Sequence, residues 1–324
     1  MSVERETQKP ARASGRWRRG LTWETFGVPL AVLAVCLLFG LLAPQFFQLQ
    51  NIANIGRQTA ALALVAWGMT MIIINAGIDL SPGAVVALVS VIAATVLKEF
   101  GPAAGVLAGV TVGLGCGLLN GVLISKLRMP PFIATLGVMS AARGAALTYT
   151  GGVPVFGLRS DWFAWLGAGS VLGLPVIVVV ALLGFALTYS ILRFTKLGVY
   201  TYAIGGNETA ARWAGIPVDR YKILIYSYAG LLTGIAGVLL AARVNSGQPL
   251  LGTSMELQAI AAVCIGGTSL FGGRGSLAGT FFGVLLTGVL NNGLNLLGVS
   301  SFIQQIVIGA TILIAVLLSL WRQR

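Results

Sequence analysis

A carboxylate inside an apolar stretch is costly to bury and by default marks a substrate or ion route. Asp79 is such a group, set in the break Gly77-Ile-Asp-Leu-Ser-Pro-Gly83 between two long apolar runs. It has a second use: Asp79 or Ser81 can cap the helix that Pro82 opens, since proline favours the first helical position. Arg143 lies about seven residues inside its apolar segment, roughly 10 Å along a helix. There it can snorkel, pair with an acid of the bundle or line a pore. Glu256 begins another segment beside Gln258 and reads as a solvated first-turn acid. Asn75, Asn120 and Asn292 suit the hydrogen bonding of polyols, and equally suit bonding between helices.

No nucleophile–base pair, metal-ligand cluster or phosphate loop accompanies these groups. The chain has no histidine, so imidazole acid–base chemistry is absent. Gly205-Gly206-Asn207 and the run Gly266–Gly275 lack the lysine and following Ser/Thr of a phosphate loop. The residues therefore describe no enzyme, no metal site and no resident cofactor, and whatever energy drives the molecule is supplied from elsewhere.

One polar stretch is built differently. In Gly198–Lys222, GVYTYAIGGNETAARWAGIPVDRYK, Asn207 can cap a short helix running Glu208 to Ala214, with Glu208 in the first turn where the helix dipole favours an acid. Gly215 supplies a left-handed stop and Pro217 prevents continuation. Ala210, Ala211 and Ala214 give this two-turn helix a small face. An element of this size between two membrane segments spans nothing and is built for contact.

The elements that must position these groups follow from composition. The 324 residues are 56% hydrophobic and 9% charged, where a soluble domain is about 25% charged. Apolar runs fall at 24–43, 52–75, 82–98, 102–125, 131–150, 172–194, 222–242, 256–272, 276–297 and 301–321. Each approaches the roughly 20 residues of a membrane helix, and none alternates as barrel strands do. The expected class is an all-α integral membrane protein of about ten helices. The net charge of +12 sits at segment ends as a topology signal and points to no nucleic acid. With the N-terminus inside, cytoplasmic connections hold sixteen Lys and Arg residues against four (Arg57, Lys98, Arg159 and Arg243) on the opposite side. Both termini are then cytoplasmic, as is the 196–222 loop. Residues 1–23 form a basic arm, 24–321 the membrane domain and 322–324 a tail. Cys36, Cys116 and Cys264 read as small buried hydrophobes.

Segments 82–98 and 256–272 are short, and each adjoins a glycine-rich break. Paired interruptions point to inverted repeats around a translocation route. A sequence echo agrees: Gly101, Gly105 and Gly109 match Gly275, Gly279 and Gly283, each set followed by Asn-Gly and then Phe-Ile. Asn75, Asp79, Ser81, Asn120, Thr135, Arg143, Glu256, Thr268, Ser269 and Asn292 are the pathway candidates. Recurrent small residues at three- and four-residue spacing predict close helix packing.

Taken in order, Gly77-Ile-Asp-Leu-Ser81, Asn120-Gly121, Pro131-Phe-Ile-Ala-Thr-Leu-Gly137, Ala203-Ile-Gly-Gly-Asn-Glu208, Ala210-Ala-Arg, Ala214-Gly-Ile216, Glu256-Leu-Gln-Ala-Ile-Ala-Ala262 and Gly266-Gly-Thr-Ser-Leu-Phe-Gly-Gly273 resemble the permease subunits of ATP-binding-cassette importers for ribose, xylose, arabinose and galactosides. The likeness runs over about 25–320. It departs at Gln258, where the family usually has Asp, and at Pro82, where it commonly has Val. The resemblance implies a fold similar to the vitamin B12 importer permease, in a bacterial cytoplasmic (inner) membrane. It also implies a second permease subunit, cytoplasmic ATPase subunits that bind the ATP, and an extracytoplasmic sugar-binding protein. It makes Gly205, Gly206, Asn207, Glu208, Ala210, Ala211, Arg212, Ala214, Gly215 and Ile216 the coupling element that docks on the ATPase, the small face fitting a groove. The sugar would be delivered near 151–171 and 243–256, and Trp162, Phe163 and Trp165 read as an interfacial aromatic belt or a docking surface. Related permeases carry branched-chain amino acids or nucleosides. An ion-coupled secondary transporter, with Asp79 as its coupling acid, is the reading from another class.

Overall fold

The computed structural model describes residues 23–300, 302–304, 306–307 and 309–310. The basic arm through residue 22, the tail and most of the segment 301–321 lie outside the described residues.

The chain is an all-α membrane protein: α1 (Trp23–Leu42), α2 (Leu49–Ile74), α3 (Pro82–Phe100), α4 (Pro102–Ser125), α5 (Pro131–Thr150), α6 (Asp161–Ala168), α7 (Val176–Phe194), α8 (Lys196–Gly206), α9 (Glu208–Trp213), α10 (Val218–Val244), α11 (Met255–Ile265) and α12 (Leu277–Leu296). Two-residue strands, Ser170–Val171 and Leu174–Pro175, pair antiparallel between α6 and α7. Six helices, α2, α3, α4, α7, α10 and α12, are long and apolar enough to cross a membrane, while α1 and α11 carry shorter apolar stretches.

Apolarity all round marks a helix that is covered all round, and α2 is that helix. Every residue from Thr59 to Asn75 is buried. Trp67 fixes its rotation: the indole Nε1 donates to the Ala181 carbonyl at 3.1 Å, and the ring meets Phe185 and Phe281. Glycines set the other seams. A methyl on Gly113 or Gly117 of α4 would strike the backbone of Gly230 or Gly234 of α10, so these two helices touch main chain to main chain. Such approach replaces apolar driving force in a bilayer with dense van der Waals packing. The echo in the sequence has a packing counterpart. Gly105 and Gly109 lay α4 on α3, and Gly279 and Gly283 lay α12 on α11.

The largest departure from expectation is the segment 256–272. Its helix stops at Ile265 after 11 residues, about 16 Å of rise. The stretch 245–254 before it lies along α3, with Ser246, Gly247 and Pro249 buried and Asn245, Leu250 and Thr253 exposed. Gly247 packs on Ser90, Val91 and Ala94, and Gly252 on Gly83 and Val86. Ser90 Oγ donates to the Gln248 carbonyl at 3.1 Å, and the Val155–Gly247 bridge anchors the start of the stretch. The chain thus descends three turns beside α3 before α11 begins.

Candidate functional site

Depth can be read from the helix seams. Gly237 of α10 packs on Val86 and Val89 of α3, so Gly83, one turn further along α3, lies level with about Thr233. That is about 16 Å from the Val244 end of α10. Here two helix N-termini, those of α3 and α11, meet, and carboxylates lie at both. A methyl at Gly83 would run into the Glu256 carboxylate and the Gly252 carbonyl. Positive helix ends attract acids and carry unpaired N–H groups, which accounts for acids at this depth. Glu256 is therefore a half-buried acid packed against Gly83.

Asp79 folds the approach to α3. Its Oδ1 accepts from the Ser81 backbone N–H at 2.8 Å and from Ser81 Oγ at 2.6 Å. Neither Asp79 nor Ser81 caps α3 through its side chain; the acid closes a turn one step earlier, which leaves Pro82 to begin the helix. Asn120 Nδ2 donates to Ser81 Oγ at 2.9 Å and reaches Asp79 Oδ1 at 3.5 Å, tying α4 to the turn. Tyr226 of α10, fully buried, donates to the Ile78 carbonyl at 3.4 Å. Asn120 Oδ1 is buried without a hydrogen-bond partner.

The other candidates divide. Arg143 joins the deep segment through main chain, with Nη1 donating to the carbonyls of Pro249 at 2.8 Å and Leu251 at 3.4 Å. Thr268 and Ser269 sit in the break after α11, both buried. Asn75 ends α2, with its Oδ1 unpartnered. Thr135 turns back onto the Pro131 carbonyl of its own helix. Asn292 is far from the centre and forms a reciprocal amide pair with Asn51, at 2.9 and 3.0 Å. That pair staples α2 to α12.

The polar stretch forms as its sequence implies. Asn207 Oδ1 caps α9 by accepting from the Ala210 N–H at 2.9 Å. Gly215 has φ of +80°, and its N–H and that of Ile216 close on the Arg212 and Ala211 carbonyls. The helix ends at Trp213, one residue earlier than expected. Its small face is split: Ala210 and Ala214 are exposed, while Ala211 is buried with Ile204 and Val218 against the chain's own residues. Trp213 instead stands clear at 86% exposure. Acids and bases that sequence reading left unpaired bind α9 to α10. Glu208 meets Lys222 at 2.6 Å and Arg212 at 3.0 Å, and Arg212 meets Asp219 at 2.6 Å. Burial pushes the Glu208 carboxyl up, but Lys222 and Arg212 outweigh it and hold the group below its ordinary 4.5.

The model of a family described as "Branched-chain amino acid transport system / permease component" matches residues 51–316. The chain belongs to this family. Individual permeases resemble it along nearly their whole length. The Ribose import permease protein RbsC of Bacillus subtilis (strain 168) is 48% identical over 91% of this chain and 92% of its own. The protein of the same name from Escherichia coli (strain K12) is 45% identical, over 89% and 91%. The D-allose transport system permease protein AlsC of Escherichia coli (strain K12) is 36% identical, over 92% of each. No solved structure matches this permease.

Proposed function

We propose that this chain is the membrane subunit of an ATP-binding-cassette importer for a monosaccharide, with ribose as the first substrate to test. The observation that carries this is the identity to ribose permeases over about nine-tenths of both chains. In this reading the loop 196–222 is cytoplasmic, both termini lie on the same side, and the membrane is a bacterial inner membrane. The ATP is bound by partner subunits. A second permease completes the pathway, and an extracytoplasmic binding protein delivers the sugar near 151–171 and 243–256. Ten helices in an arrangement similar to the vitamin B12 importer permease, built from an inverted repeat, suit the paired glycine seams of α3 with α4 and α11 with α12.

The deep centre suits alternating access to a polyol. Two helix N-termini, two carboxylates and the Ser81–Asn120 pair lie between rigid helices, so a shift of α3 or α11 changes which groups face the route. On α9, Trp213 is the anchor for the ATPase, because exposed tryptophan ringed by polar groups is the residue type that dominates interfaces.

Reconstitution tests the whole. Ribose uptake is expected only when the chain is combined with its cassette ATPase, ATP and the sugar-binding protein. Uptake by the chain alone on an ion gradient would remove the importer reading in favour of a secondary transporter.

A further inference from the structure

The coupling element reaches the membrane interior through backbone. At Gly205 a methyl would collide with the Ile74 carbonyl at the end of α2 and come within 2.8 Å of Gly273 N. The same Ile74 carbonyl accepts the Gly273 N–H at 2.8 Å. It is one of the terminal carbonyls that a helix cannot satisfy internally, and the break after α11 supplies the donor. A methyl at Gly272 would fall 2.6 Å from the Ala76 Cβ and 2.7 Å from the Gly205 carbonyl, and one at Gly273 would lie 2.8 Å from Gly206 Cα. Tyr202 of α8 closes the junction by donating to the Gly275 carbonyl at 3.1 Å.

Three segments distant in sequence (205–206, 74–76 and 272–273) therefore meet main chain to main chain, while at Gly275 the contacts are the side chains of Ile74, Thr268 and Tyr202. Both outgoing arms lead to the deep centre. From Ile74 the chain reaches Asp79 within five residues. From Gly266, α11 runs as a rod of about 16 Å to Glu256.

We infer that this glycine junction is a rigid weld that delivers the ATPase stroke to both flanks of the deep centre, with Gly205 and Tyr202 as positioning residues for coupling. The inference rests on the reading that α9 meets the ATPase. Close-packed backbone has no slack to absorb displacement, so movement of α8 and α9 becomes movement of the α2 terminus and of α11.

The test uses the full importer in proteoliposomes and reads ribose moved per ATP hydrolysed, with ATPase copurification measured alongside. Gly205→Ala is expected to copurify the ATPase normally yet move about tenfold less ribose per ATP. Tyr202→Phe deletes one hydroxyl and is expected to lose about two- to fivefold, with normal thermal unfolding. If Gly205→Ala does not assemble, Tyr202→Phe decides. Normal coupling in Tyr202→Phe overturns the weld. Failure of the docking reading has a separate signature: ATPase copurification unchanged by Trp213→Ala, which removes the weld's role with it.

Discussion

One oxygen of Asp79 takes up both donors of Ser81, so the acid spends its charge on shaping five residues of backbone. That makes the turn sensitive to its smallest member. Ser81→Ala leaves Asp79 with the backbone donor and Asn120 Nδ2 with only a 3.5 Å contact. We expect a loss of about 1–3 kcal/mol, read as a lower thermal midpoint in detergent; an unchanged midpoint would refute the arrangement. Glu208 gives a pH prediction of the opposite location. Its carboxyl is held below 4.5, so the ionised form is favoured in the folded loop. Its contribution is present above 4.5 and is lost as pH falls through the lower folded value. Amide exchange across residues 208–213 should be flat from neutral pH down to 5, once the intrinsic pH dependence of exchange is removed, and should rise only as the pH falls below the ordinary 4.5. No change there would leave the Lys222 pair without weight. Residues of this kind differ in how they show in sequence. Asn207 and Gly215 act on neighbours within three residues, so their roles were legible from order alone. Glu256 was not, because the groups around it come from Gly83 and Gly252, and nothing local reveals that the preceding stretch is drawn inward.

At the scale of elements, α9 turns its hydrophobic side toward its own chain. Ala211 packs with Ile204, Val218, Ile216 and Tyr221, and the ion pairs with Asp219 and Lys222 close the same contact from its edges. Ala211→Glu therefore places a charge in an apolar contact and should unfold the loop, costing several kcal/mol by the burial of an unpaired acid. Thr209→Glu, on the exposed side, should leave the loop folded while weakening any partner seated there. Limited proteolysis between residues 196 and 222 separates the two: cleavage in the first and resistance in the second. Equal resistance would mean that Ala211 is not a core residue. Stretch 245–254 teaches the complementary lesson. Its Asn, Ser, Gly, Gln and Pro content reads as surface loop, since such backbone polar groups normally need water. Here Ser90, Val155 and Arg143 supply partners instead, so one side of the segment can pack on α3. The apolar run located α11 but gave it seven residues too many at its end, because the glycine-rich stretch 266–272 carries no charge to mark the stop.

For the whole molecule the all-α membrane class was legible, because apolar runs of about 20 residues have few other uses. Which glycines meet was not, since a small-residue stripe specifies closeness and not a partner. The described residues gather their connections at two ends. The connections expected on one side hold Lys126, Arg128, Arg193, Lys196, Arg212, Arg220, Lys222 and Arg274; those expected on the other hold Arg57, Lys98, Arg159 and Arg243. Contacts support the grouping: Gly273 bonds to Ile74 at the first end, and Lys98 to Phe156 and Arg243 to Arg57 at the second. The excess of basic residues at the first end predicts that it faces the cytoplasm. Two positions suit a direct measurement, Leu127 between α4 and α5 at 64% exposure and Leu172 between the short strands at 99%. Each is replaced by cysteine in a chain whose three native cysteines are alanine. A membrane-impermeant thiol reagent added outside spheroplasts should modify Leu172→Cys at once and Leu127→Cys only after the membrane is opened. Leu127 stands between Lys126 and Arg128, whose charges act on Asp219 at the junction of α9 with α10, so the labelling is done on the chain without its ATPase, which would shield the site. The reverse pattern would turn the molecule over, place α9 and Trp213 outside, and leave no cytoplasmic surface of this kind for an ATPase to hold.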